Sequence, residues 1–150
     1  MLSRAPRLPR ENNLLKMQKS IYICRFFFVS LRHNLNDMDR PLFKLIALRD
    51  AQAFLDALPD KVREKVLYNI RKVRYGVQDK DLFKKLDEDI WEFRTLWQGI
   101  AYRLFAFWDT DGETLVIATH GIIKKSQKTP QREKDKAKAI RKEWFNSKNQ

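Results

Sequence analysis

Hydrophobic and polar positions follow two different periods along the chain, and the period changes near residue 80. Residues 42–48 have the pattern of a short strand. Apolar side chains then recur at helical spacing in two stretches, with Pro59 and Asp60 between them and Gly76 after the second. Because proline and aspartate favour helix starts and glycine favours helix ends, this pattern predicts a hairpin of two helices, the first capped by Asp50.

The second half of the chain has the period of strands. Strand candidates are residues 90–96, 100–108 and 114–119, with a shorter candidate at 83–86. Thr129-Pro130 opens a final helix with proline at its first position. The predicted order is β-α-α-β-β-β-α. We therefore expect an α+β fold in which an N-terminal strand and a helical hairpin pack on an antiparallel sheet, followed by a C-terminal helix.

Residues 1–37 differ from the rest of the chain in composition. They hold two prolines, scattered arginines and one short aromatic run without a regular period, and the pattern changes at Met38. We therefore divide the chain into a basic extension, residues 1–37, and a folded domain, residues 38–150. Two interpretations of the extension stay open: a misassigned start, with Met38 as the true first residue, or a flexible basic arm that adds RNA affinity.

The chain is strongly basic, with 31 Lys and Arg against 19 Asp and Glu and a formal net charge of +12. A small protein this cationic usually binds phosphate, in nucleic acid or on an anionic membrane. The longest apolar run, residues 21–31, is too short to cross a bilayer and contains Arg25, so we expect no membrane partner and a cytoplasmic location. Cys24 is the single cysteine, and His33 and His120 are the only histidines; the sequence therefore predicts no disulfide, no metal and no cofactor.

The segment after the last strand candidate holds the most informative polar residues. His120 has an ordinary pKa of about 6.5, near physiological pH, and Lys124, Lys125 and Lys128 add three positive charges nearby. Loops at a sheet edge often carry function on a rigid base, so His120 is a candidate catalytic acid or base. A capping or packing role for this histidine stays open as the alternative.

Two arginines in neighbouring strand candidates form the second group of interest. Arg94 and Arg103 could each hold a phosphate through two parallel hydrogen bonds, although an ion pair with Glu92 or Asp89 is the alternative for Arg94. The lysines expected to line the same groove and contact RNA are Lys84, Lys85 and Lys128. An edge strand that faces water uses lysine just as readily, so a solvated role stays open for the first two.

Three strings of residues carry a resemblance to a known protein family. They are Trp-Glu-Phe-Arg at 91–94, Tyr-Arg-Leu-Phe at 102–105 and His-Gly-Ile-Ile-Lys-Lys-Ser-Gln-Lys-Thr-Pro at 120–130. With them, the segment from about residue 40 to 146 resembles the RelE/ParE superfamily of toxins, and most of all its HigB-like, phage-derived branch. The resemblance implies a RelE-like fold, endonuclease activity on messenger RNA at the ribosome, and a cognate antitoxin, usually with a helix-turn-helix DNA-binding domain.

The resemblance also implies which residues act. The strand arginines of the family match Arg94 and Arg103, and the basic residues after the last strand match Lys124 and Lys125. The implied reaction is attack of a ribose 2′-oxygen on the adjacent phosphorus without a metal, because arginine and lysine can stabilise the charge that develops there. His120 is the acid or base candidate. The tyrosine or histidine pair of some relatives has no equivalent here, so the general base stays unassigned.

Two other functions stay open from the sequence. The first is a ParE-like toxin that binds DNA gyrase through protein contacts and performs no chemistry. The second is a non-enzymatic nucleic-acid-binding module, such as a phage accessory protein. A ribonuclease requires Arg94, Arg103 and the lysine pair 124–125 to converge on one concave site, and this requirement separates it from both alternatives.

Overall fold

Within residues 40–125 and 128–150, which the computed structural model describes, the chain forms five strands and three helices. In chain order they are β1 (Lys44–Ala47), α1 (Arg49–Ala57), α2 (Asp60–Arg74), β2 (Phe83–Lys85), β3 (Ile90–Trp97), β4 (Ile100–Asp109), β5 (Leu115–Lys124) and α3 (Gln131–Lys148). The α+β class is confirmed. Four strands follow the helical hairpin rather than the three in the predicted order, because the short candidate at 83–86 also forms a strand. The predicted division at residue 38 and both interpretations of residues 1–37 lie outside the described residues.

The five strands form one sheet in the order β1-β5-β4-β3-β2. Strands β2 to β5 pair antiparallel, as predicted, and β1 joins the edge of this sheet by pairing parallel to β5, a direction that the sequence did not predict. A strand's own residues do not specify its neighbour. Here the helical hairpin provides the long connection that a parallel pairing needs. None of the described helices is both long enough and apolar enough to span a bilayer.

The helical hairpin covers one face of the sheet, which we call the hairpin face. The apolar stripe that predicted α2 is buried there, at Val62, Val66, Ile70 and Val73. Helix α1 lies so close to β5 that a Cβ atom at Gly121 would clash with the ring of Phe54, so this position requires glycine. Asp50 lies in the first turn of α1 and Leu48 is its N-cap, which corrects the predicted cap by two residues.

Helix α3 covers the opposite face, which we call the α3 face. Its apolar contact with the sheet involves Ala137, Trp144 and Phe145. The rest of the helix is tied down by ion pairs: Lys136 with Asp50, Lys138 with Asp87, Arg141 with Asp89, and Lys148 with Asp109. Pro130 is the N-cap of α3 rather than its first residue.

Two local features determine which side chains reach the α3 face. A two-residue turn joins β3 to β4, with positive φ at Gln98 (48°) and Gly99 (77°), as in the turns that match strand twist. A register shift then makes Thr119 an extra residue in β5, because Phe105 pairs with His120 whereas Ala106 pairs with Ala118. Such a bulge reverses the alternation of side chains that follow it. As a result, His120, Ile122 and Lys124 point to the α3 face.

Candidate functional site

A polar depression of about 270 Å³ lies on the α3 face, between the sheet and the chain that enters α3. Five of its lining residues are cationic and one is acidic. The lining residues are Lys84, Leu86, Glu92, Arg94, Lys124, Lys128, Thr129 and Lys134. This excess of positive charge in a concave site favours an anionic ligand.

Strand register brings the cations together. Arg94 on β3 is the direct cross-strand partner of Arg103 on β4, and Lys84 on β2 is the partner of Glu92 on β3. Because alternate residues of a strand share a face, Glu92, Arg94 and Arg103 all point to the α3 face. Lys124 reaches this face through the bulge in β5. Arg94, Arg103 and Lys124 therefore gather in one region, but Lys125 does not line the depression, so the convergence that the ribonuclease interpretation requires is present only in part.

Glu92 is the central residue that the sequence analysis considered only as an ion-pair partner for Arg94. It is 2% exposed, and its Oε1 lies 3.5 Å from Nε of Arg94 and 3.6 Å from Nε of Arg103. The Thr129 hydroxyl donates to its Oε2 at 3.4 Å. A buried carboxylate therefore holds two guanidinium groups side by side. Its position two residues before Arg94, on the same face of the same predicted strand, was the signal available in the sequence.

The two arginines form a costly arrangement. Like charges placed directly opposite each other on neighbouring strands destabilise a sheet. Moreover, the Nε atoms of Arg94 and Arg103 are buried without a hydrogen-bond partner among the described residues. Evolution rarely retains such a cost unless the charges have another use, and perturbed charge clusters in clefts are typical of functional sites.

Arg94 and Arg103 differ in accessibility. The Arg94 side chain is 23% exposed, and its Nη1 donates to the carbonyl of Lys80 at 3.0 Å and lies 3.4 Å from Asp81. The ion pair considered as its alternative role is thus present with Glu92, while Asp89 pairs with Arg141. The side chain of Arg103 is only 9% exposed, and its Nη1 donates to the carbonyl of Tyr102. Arg103 lies behind the depression and contacts it through Glu92.

This setting changes the pKa of Lys124. Burial lowers its pKa; Glu92 acts in the opposite direction, and the neighbouring Arg103, Arg94 and Lys84 lower the pKa further. A lysine in a cationic, partly desolvated site gives up its proton more readily than a lysine in water. Burial likewise lowers the pKa of Arg103, while Glu92 raises it.

His120 is outside the depression. It is 3% exposed and stacks on Phe105, with ring centroids 4.7 Å apart. Its Nε2 lies 2.9 Å from Oε2 of Glu133, and its Nδ1 lies 2.9 Å from Oγ1 of Thr119. Because a carboxylate only accepts hydrogen bonds, Nε2 carries the proton that faces Glu133. The packing role left open for His120 is the one that this geometry favours over catalysis.

The remaining lysines are divided by the sheet. Lys84 and Lys128 line the depression. Lys85 pairs with Trp91 and therefore points to the hairpin face, and the exposed Lys125 does not line the depression. Neither of these two is brought together with the arginines. In the described part of the chain, no group of three or more His, Cys, Asp or Glu side chains is placed to hold a metal ion.

Comparison with known proteins assigns the family. Residues 53–142, which are more than half of the chain, match the sequence model of a protein family described as phage derived protein Gp49-like (DUF891). The chain therefore belongs to the Gp49-like family, and its assignment to the phage-derived branch of the RelE/ParE superfamily is confirmed.

The chain was also compared with solved structures and with curated proteins. A chain of the toxin–antitoxin complex RelBE2 from Mycobacterium tuberculosis is 18% identical, with a TM-score of 0.38. That match covers 56% of this chain and 99% of the other. A similarity of this size does not carry a functional argument. No curated protein matches the chain.

Proposed function

We propose that this protein is the toxin of a toxin–antitoxin pair and acts as an endoribonuclease on messenger RNA at the ribosome, without a metal. The observation that carries this proposal is the cluster of Arg94, Arg103 and Lys124 around one concave site, with Glu92 buried among them. Preorganised cations of this kind stabilise the charge that develops on a phosphodiester during cleavage.

The reaction is a transfer within the RNA strand. The ribose 2′-oxygen forms a bond to phosphorus, the bond from phosphorus to the 5′-oxygen breaks, and the 2′ proton leaves to water. Arg94 is the partly exposed guanidinium that contacts the phosphate, and Lys124 protonates the departing 5′-oxygen. Both carboxylate oxygens of Glu92 are engaged, so Glu92 acts as a positioning residue for the arginines. Without a strong base, the rate depends on how the ribosome positions the RNA.

The proposal includes a partner. A toxin of this kind is controlled by a cognate antitoxin, and the resemblance of the sequence to RelE/ParE toxins suggests one with a helix-turn-helix DNA-binding domain. Co-expression with the protein of the neighbouring gene is expected to restore growth. The two proteins are expected to co-purify as a complex. Unchanged growth inhibition during co-expression would contradict that choice of partner.

Substitution at the depression tests the chemistry. Arg94→Ala and Lys124→Ala are each expected to lower cleavage by about a hundredfold to a thousandfold, the usual loss for one transition-state donor, and to relieve growth inhibition. Arg103→Ala is expected to lower cleavage less, because Arg103 lies behind the depression and acts through Glu92. Lys125→Ala is the matched control, because the adjacent Lys124 lines the depression and Lys125 does not. Primer extension on messenger RNA from expressing cells measures the cuts, and circular dichroism checks that each variant is folded.

The same experiment separates the alternatives. Cuts linked to codon position support the ribonuclease. DNA damage without RNA cuts would replace it with a gyrase inhibitor, and salt-sensitive nucleic-acid binding without an effect on translation would replace it with a binding module. A folded Lys124→Ala variant with full toxicity would remove Lys124 from the site.

A further inference from the structure

The outward side of α2 carries a stripe of cationic and aromatic side chains, which we call the α2 stripe. Its members are separated by three or four residues and therefore lie on one side of the helix. They are Lys61, Lys65, Tyr68, Lys72 and Tyr75. Tyr68 is 53% exposed and Tyr75 is 40% exposed, so the aromatic rings of the stripe face solvent.

The cations of the stripe are arranged around the tyrosine rings. Nζ of Lys65 lies 5.3 Å from the centre of the Tyr68 ring, and Nζ of Lys72 lies 4.9 Å from the same ring. The guanidinium of Arg71, beside the stripe, lies 5.9 Å from the Tyr75 ring. Contacts of this kind limit where long side chains can point. They hold two ammonium groups beside the same exposed tyrosine ring.

The charges of α2 differ from those of α3. Within residues 40–125 and 128–150, the one ion pair formed by α2 is Arg63 with Asp60. In α3, by contrast, Lys136, Lys138, Arg141 and Lys148 all pair with acidic residues that hold the helix in place. Among the residues that the structure describes, no acidic side chain pairs with the lysines of the α2 stripe in this way. Their charge is available to an anionic partner.

The location of the stripe makes it independent of the depression. Helix α2 packs on the hairpin face, whereas the depression lies on the α3 face. The lysines of the stripe span the 12 residues from Lys61 to Lys72, a rise of about 16 Å at about 1.5 Å per step. A duplex presents one negative charge per roughly 1.7 Å of its axis, so a segment of this length exposes about ten phosphates.

We propose that the α2 stripe is a second RNA-binding surface, which holds the sugar–phosphate backbone of a base-paired RNA without reading its sequence. Lysines act as point charges on phosphates and carry no base specificity. The stripe then anchors the protein to structured RNA while the opposite face remains open to a single strand. The choice of RNA among polyanions rests on the proposed function; the presence of an anion-binding surface rests on α2 alone.

The test measures binding of a labelled 16-base-pair RNA duplex by fluorescence anisotropy, with the full chain carrying Lys124→Ala to avoid cleavage. In the variant Lys61→Gln/Lys65→Gln/Lys72→Gln we expect affinity to fall about tenfold at physiological salt. The slope of log affinity against log salt should become shallower by about 2.7, since each of the three removed phosphate contacts contributes about 0.9 for a duplex. The matched control, Lys44→Gln/Lys80→Gln/Lys142→Gln, removes the same charge from exposed positions elsewhere and should change affinity less than twofold.

Equal affinity in the two triple variants would overturn the inference, because net charge alone would then account for binding. Stronger competition by a poly-glutamate peptide or by a DNA duplex than by unlabelled RNA would also overturn it, in favour of an acidic protein or DNA. Failure of the proposed function is a separate result: messenger RNA cleavage that does not respond to Lys124→Ala would leave the α2 stripe intact as an RNA-binding surface.

Discussion

The two faces of the sheet bury different kinds of residue. On the hairpin face, large apolar side chains from α1, α2 and three strands pack together, and the buried pair Asn69 and Thr95 satisfies itself through one hydrogen bond of 3.1 Å. On the α3 face, the apolar cluster is smaller, and Glu92, Arg103 and His120 are buried beside it. Burial of apolar surface stabilises a fold, while burial of charge costs free energy unless it is well paired. The hairpin face thus supplies stability, and the α3 face holds charges in place.

Of the substitutions that compare the two faces, removal of the buried carboxylate on the α3 face should lower stability the most. Glu92→Gln leaves two guanidinium groups facing each other, so we expect the free energy of unfolding to fall by about 3 kcal/mol. Urea denaturation measures the change. The exposed Glu88→Gln is the control, with an expected change below about 0.5 kcal/mol. Equal stability of the two variants would mean that Glu92 does not hold the arginines together.

A cavity on the hairpin face should lower stability by a similar or slightly smaller amount. Leu55 is 5% exposed between α1 and the sheet, so Leu55→Ala is expected to cost about 2–3 kcal/mol through lost burial and an unfilled space. Messenger RNA cleavage per folded molecule should stay unchanged, because the depression lies on the other face. Leu67→Ala, at a position 45% exposed on α2, should change stability by less than about 0.5 kcal/mol. Loss of cleavage in folded Leu55→Ala would show that the two faces are coupled.

Two adjacent lysines of β2 point to opposite faces of the sheet and therefore test directly whether cleavage depends on the α3 face alone. The expected effect on cleavage is smaller. Lys84→Ala removes a cation from the depression and should reduce messenger RNA cleavage about tenfold, equivalent to about 1.4 kcal/mol. Lys85→Ala, one residue along and on the hairpin face, should change cleavage less than twofold. Similar losses in both variants would indicate that only the overall charge of β2 matters.

The pH dependence of stability should show the smallest effect. Burial lowers the pKa of His120 from its ordinary 6.5, although the hydrogen bond to Glu133 opposes this. The unfolded chain therefore binds the proton more readily than the folded chain. The contribution of His120 is thus present above pH 6.5 and is lost as the pH falls through the lower folded-state value. Urea midpoints at about pH 7.5 and about pH 5.5 should differ more in the wild type than in His120→Gln.

The carboxylates titrate in a different range and do not obscure that measurement. The pKa values of Asp50, Asp87 and Asp109 are lowered from 3.8 by lysines and hydrogen bonds that oppose the effect of burial, so their contributions are lost only on stronger acidification. If the urea midpoint of the wild type is the same at about pH 7.5 and about pH 5.5, the assignment of His120 as a buried, neutral side chain is contradicted.

Sequence patterns predicted the helices well, because the spacing of apolar residues that identifies a helix lies within the helix itself. Val62, Val66, Ile70 and Val73 recur at helical spacing in the sequence, and all four are buried against the sheet. The pairing of Arg94 with Arg103 could also be anticipated, since a short turn joins their strands. The parallel pairing of β1 with β5 could not, because it joins residues about 70 positions apart.

By itself, the sequence determined that this chain is a basic α+β protein, which segments become helices and strands, and that Arg94 and Arg103 lie on neighbouring strands. Tertiary structure decided which charges meet. An extra residue at Thr119 reverses the alternation of β5, and this places Lys124 in the depression and His120 against Glu133. Side-chain direction in a strand has a period of two, so a single bulge changes the face of every residue after it. Only the folded sheet shows where that residue falls.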